Sequence, residues 1–152
     1  MERVAYVLFE LNGRIKRVTW LIYFAALLIA ETSAEFLFRR LFDFPAAADS
    51  SSPAAYFDDS AGLLAGLIFL WPSVAVDVKR WHDIGQSGWL TLIAYGPLFA
   101  LYVLELGFAG TAAISEKAVT ALTSLMGLVF LVYLILLAAR KGTPAANRFG
   151  PG

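Results

Sequence analysis

The chain has no cysteine, one histidine (His82) and few charges, only 16% of its 152 residues. Without cysteine there is no disulfide framework, no thiolate metal site and no cysteine nucleophile, and redox chemistry gives no clue to compartment. A lone histidine without cysteine rules against a His/Cys zinc site, and no metal, no cofactor and no nucleic-acid partner is expected. The charged fraction falls short of the roughly 25% typical of a soluble domain, while hydrophobic residues make up 59%. A soluble core of this size cannot absorb so much apolar surface.

That surplus is gathered into four runs, about 18–38, 61–78, 89–108 and 118–139. A helix of ~20 residues crosses the ~30 Å hydrocarbon layer. A backbone exposed to lipid can satisfy its polar groups only as a helix or a closed barrel. The runs lack the alternation of barrel strands, so the expected fold is all-α: one membrane domain over residues 1–152, with four transmembrane helices in a compact bundle.

Lysine and arginine set the orientation. With four spans, the termini and the 79–88 loop share one side, which carries Arg3, Arg14, Lys16, Arg17, Lys79, Arg80, Arg140, Lys141 and Arg148; the other carries Arg39, Arg40 and Lys117. Nine against three places both termini in the cytoplasm. Asp43, Asp49, Asp58, Asp59 and Glu116 then lie outside. The first run also imitates a signal peptide, with a basic lead, an apolar core from Trp20 to Ala30 and the small residues Thr32, Ser33 and Ala34; retention as a span is expected.

Residues 1–17 read as an amphipathic lead lying in the interface, with Val4, Val7, Leu8 and Leu11 at helical spacing. Pro45 to Ser60 reads as a flexible outer loop. Pro72 and Pro97 interrupt the second and third spans, where each removes a backbone donor and favours a kink. Gly85 and Gly88 suit a tight turn, and residues 140–152 suit an irregular strap.

Three polar segments meet on the inner face: Asn12-Gly13-Arg14 to Arg17, Lys79-Arg80-Trp81-His82-Asp83 to Gly88-Trp89, and Gly142-Thr143 to Asn147-Arg148-Phe149-Gly150-Pro151. Arginine forks match phosphate or carboxylate, and glycines let backbone amides approach an anion. Arg14, Arg17, Arg80, His82, Asp83, Ser87, Gly88, Asn147 and Arg148 are therefore candidates for an anion or head-group site, the nearest anion being a phospholipid phosphate. Asp83 and Asp77 could instead pair with the arginines and tie the loop to the tail. A Ser87-His82-Asp83 triad is disfavoured, because adjacent His and Asp side chains usually diverge; catalysis is not expected.

The order and content of these segments resemble the DUF805 family of small bacterial inner-membrane proteins. That family's pattern runs Gly-Arg-x-x-Arg, then Arg-Arg-x-His-Asp-x-Gly-x-Ser-Gly-Trp, then Gly-x-x-x-x-Asn-x-Phe-Gly. Lys79 departs from its first Arg of the middle motif, and Leu11 from an aromatic before the Gly-Arg. The resemblance implies a four-helix inner-membrane protein and supplies no function.

Glu31 and Glu35 share a face of the first span with Arg39, and Glu105 falls at similar depth in the third; an i, i+4 Glu to Arg pair is favourable. Two functions follow from the residues. The first is a non-enzymatic protein binding an anionic lipid head group, a small anion or a protein partner at the inner face. The second is a small transporter or channel component using Glu31, Glu35 and Glu105, with a homo-oligomer supplying the pathway. Gly62 and Gly66 offer a close-packing face.

Overall fold

A computed structural model of the chain describes residues 2–42, 60–108 and 116–150. Five α-helices follow one another: α1 (Glu2–Phe9), α2 (Arg17–Phe42), α3 (Ser60–Asp83), α4 (Thr91–Phe108) and α5 (Glu116–Ala139), with a 3-10 turn at Gly88–Leu90 leading into α4. Among the described residues the only β pairing is a bridge between Asn147 and Gly150. The all-α expectation holds to that extent. The expected outer loop, 45–60, lies outside the described residues except for Ser60, the first residue of α3.

Among the described residues, three helices are long and apolar enough to cross a membrane: Arg17–Phe42, Ala61–Asp83 and Thr120–Ala139. The third expected span forms α4 with its far boundary as anticipated, and it is not among these three. α2 outruns its expected end by one turn, continuing through Arg39 and Arg40, cations suited to the last turn of a helix. Pro72 and Pro97 both stand inside their helices. The lead helix forms as the periodicity of Val4, Val7 and Leu8 indicates, and stops at Phe9, short of Leu11.

α2 and α3 are antiparallel neighbours. Trp20 Nε1 donates to Asp77 Oδ1 at 2.7 Å, and eleven residues further along each helix Glu31 approaches Gly66, leaving 3.6 Å to where a β-carbon would stand. Those residues are separated by about 16 Å of helix rise, so one register holds along the seam. Ala61 and Ala65 are fully buried, and such small side chains bring two helices close without a large apolar knob. The buried core gathers at the end of the bundle that carries the termini: Val7, Ile15, Trp20, Val76, Trp81, Ala94, Tyr133 and Leu137. Elsewhere the apolar side chains face outward, as Ile22, Ile29, Phe36 and Leu41 do on α2. Apolar side chains turned outward along the helices are what a lipid solvent selects.

Candidate functional site

The three polar segments do converge, and their chemistry is turned inward. Arg14 lies in the bend between α1 and α2, its side chain only 3% exposed. Its Nη1 donates to the carbonyls of Ala145 (3.0 Å) and Gly150 (3.2 Å); its Nη2 donates to the Thr143 carbonyl (2.6 Å), the Thr143 hydroxyl (2.9 Å) and Asp83 Oδ1 (3.2 Å). Asp83 ends α3 and also pairs with Arg80 one turn back. One carboxylate thus pairs with two buried guanidiniums, whose other donors go to carbonyls, and such pairing and bonding make buried charge tolerable.

The consecutive basic residues Lys79 and Arg80 have a shared task that their charge alone does not reveal. A helix leaves its last carbonyls without intrahelical partners, and a cation there also meets the negative end of the helix dipole. Lys79, fully buried, donates from Nζ to the carbonyls of Val7 (3.0 Å) and Glu10 and lies 5.2 Å from the Tyr6 ring centroid, closing the C-terminus of α1. Arg80, also fully buried, donates from Nε to the Leu137 carbonyl (3.1 Å) and from Nη2 to the Arg140 carbonyl, closing the C-terminus of α5. Two successive residues of α3 therefore hold two other helices. Trp71 adds a second tie to α1 through the Phe9 carbonyl at 3.0 Å.

The strap is laid across the α3 end by its own backbone. Thr143 N donates to the Asp83 carbonyl (2.8 Å), and Asn147 Nδ2 donates to the His82 carbonyl (2.9 Å) and the Thr143 hydroxyl (3.0 Å). Asn147 Oδ1 accepts from Phe149 N at 2.9 Å, which turns the Phe149 ring onto His82 in a 3.8 Å stack inclined by 7°. His82 Nδ1 lies 3.1 Å from the Gly13 carbonyl, which can only accept, so Nδ1 carries a proton. Gly142 is required by contact: a β-carbon there would fall 2.6 Å from Asp83 Cγ. Gly85 is required by conformation, since its φ of +82° turns the chain after α3.

Of the candidate anion-binding residues, Arg14, Arg80, His82, Asp83 and Asn147 are joined to one another or to the strap. Gly88 packs against α3, where an added β-carbon would meet Val78 Cγ1 at 2.6 Å and His82 Nε2 at 3.1 Å. Ser87 is separate, accepting from Trp89 N at 3.5 Å. Arg17 and Arg148 are exposed, Arg148 with its guanidinium 4.7 Å from the Phe149 ring centroid. Asp83 pairs with the arginines as one alternative held, and Asp77 does not. Ser87, His82 and Asp83 turn to three different partners, which is not triad geometry.

Asp77 lies deeper, at the meeting point of four helices. Besides Trp20 of α2, it accepts from Tyr95 of α4 (3.1 Å) and Tyr133 of α5 (3.0 Å), and the Tyr133 oxygen accepts from Trp81 Nε1 at 3.2 Å. Sequence reasoning missed this cluster. Its signal was an acid and two tyrosines inside otherwise apolar runs. Of the three intramembrane acids, Glu35 bonds Arg39 at 2.9 Å as the i, i+4 spacing implies, and Glu31 faces Gly66. Glu105 is on α4, and its side chain lies outside the described residues.

A family model described as "Protein of unknown function (DUF805)" matches residues 8–151. No curated protein and no solved structure matches the chain. The chain belongs to the DUF805 family.

Proposed function

We propose that this member of the DUF805 family is a non-enzymatic inner-membrane protein that crosses the bilayer four times, keeps both termini in the cytoplasm and binds an anionic phospholipid head group there. The observation that carries the reading is the division among its basic residues. Arg14, Lys79 and Arg80 are buried and bonded to carbonyls or Asp83, whereas Lys16, Arg17, Arg140, Lys141 and Arg148 are exposed on the segments those bonds tie together. The buried set builds a scaffold and the exposed set is left to meet phosphate, each cation near an anionic leaflet contributing about 1 kcal/mol. The binding residues are then Arg17 and Arg148 with their exposed neighbours, and Arg14, Arg80, His82, Asp83 and Asn147 hold them in place.

Native mass spectrometry of the detergent-extracted protein tests this. Wild type should retain an anionic phospholipid, and Arg17→Ala with Arg148→Ala should lose it while remaining folded. Retention by that double variant equal to wild type would refute the assignment. Orientation is tested by single cysteines placed at Ala146 and Thr120 in a chain that has no other thiol. Only the cysteine at Thr120 should react with an impermeant maleimide added outside the cell.

A further inference from the structure

The Asp77 cluster belongs neither to the strap nor to the exposed basic residues, and its composition is unusual for its depth. Asp77 is 1% exposed, and its side-chain partners among the described residues are all neutral: Trp20, Tyr95 and Tyr133. The cations next to it in sequence turn elsewhere, Lys79 to α1 and Arg80 to α5. A carboxylate without a countercharge in an apolar bundle is costly, and ionisable groups so placed mark functional sites.

A second observation points to what visits it. Thr91, the first residue of α4, is 2% exposed, and its Oγ1 lies beside the Tyr133 hydroxyl without a hydrogen-bond partner of its own. A buried hydroxyl left unpaired is rare and calls for a missing water or ion. Thr91 directly follows the turn Ser87–Leu90, so Thr91, Tyr133 and Asp77 form a line of exchangeable protons leading inward from that turn.

We propose that Asp77 is a proton-binding site of the bundle, loaded from the terminus-bearing end through Thr91 and Tyr133. A hydronium ion held by the unpaired Thr91 hydroxyl gives a proton to the Tyr133 oxygen as the Tyr133 proton moves to Asp77 Oδ2. The hydronium ion becomes water, the Tyr133 hydroxyl keeps one proton, and the carboxylate becomes a carboxylic acid. Trp20 holds Oδ1 throughout, and Tyr95 bonds Oδ2 from α4.

The test is pH-difference infrared spectroscopy on the full chain in lipid nanodiscs. Acidification of wild type should raise the C=O band of a protonated carboxyl; Asp77→Asn should abolish that band and Tyr95→Phe should shift it. After a rapid acid jump the band should rise several-fold more slowly in Thr91→Val. A band that persists in Asp77→Asn, or no titrating band in wild type, overturns the site, and an unslowed rise in Thr91→Val overturns the route. Should Asp77→Asn fail to assemble, Tyr95→Phe decides, because an unshifted band places the proton elsewhere.

Discussion

Two aspartates of α3, Asp77 and Asp83, stand six residues apart, about 9 Å along one helix. They are held in opposite ways. Asp83, at the polar end, pairs with both Arg14 and Arg80, and its carbonyl accepts the Thr143 amide of the strap. Asp77, deeper, accepts only from neutral indole and phenol groups of α2, α4 and α5. Two buried guanidiniums stand against Asp83, whereas Asp77 meets only neutral donors among the described residues. Position along one helix thus separates a structural acid from one suited to chemistry.

The largest effect should come from Asp83→Ala, which leaves two buried guanidiniums without their counter-ion. Breaking such a buried pair costs about 3–5 kcal/mol. Equilibrium unfolding in mixed detergent micelles should show a loss of that size, together with protease access to the strap; a loss below about 1 kcal/mol would mean that Asp83 is dispensable to the latch. Gly142→Ala attacks the same region without removing a charge, by driving a methyl group into a carboxylate that two arginines prevent from moving. Its cost should approach about 3 kcal/mol, the upper part of the overpacking range. Asp77→Asn sharpens the contrast, since the amide oxygen can accept from both tyrosines only by turning its NH2 toward the Trp20 N–H. One orphaned donor costs about 1–2 kcal/mol, and the strap should remain protected from protease.

The helices were legible because apolar run length is a direct signal of the solvent a segment meets. Gly142 and Thr143 could be named as part of a polar segment, but not as the strap's contact with Asp83, because that contact joins residues about 60 positions apart. Lys79 and Arg80 illustrate the harder limit. In sequence they count as topology-setting positive charges, and only the placement of α1 and α5 shows that each closes a helix C-terminus. The substitution of Lys79 for the arginine in the family pattern is compatible with this task, which needs a buried cation facing two carbonyls. Asp77 was weighed only as a partner for arginine, because a sequence gives no direction to a side chain.

The far end of the seam provides the smallest expected effect and a control on the whole comparison. Glu35 and Arg39 form an i, i+4 pair with side chains 31% and 28% exposed, while Glu31, one turn earlier, points toward α3 at Gly66. A partly exposed pair within one helix contributes about 0.3–0.5 kcal/mol, so Glu35→Gln should change stability by no more than that and leave the carboxyl infrared band of Asp77 untouched. Glu31→Gln should be equally mild in stability and should also leave that band in place, because Glu31 meets α3 about 16 Å along the seam from the Trp20–Asp77 contact. If either substitution moved the band, Asp77 would be responding to the summed charge of α2, and the division between the two ends of the α2–α3 seam would be lost.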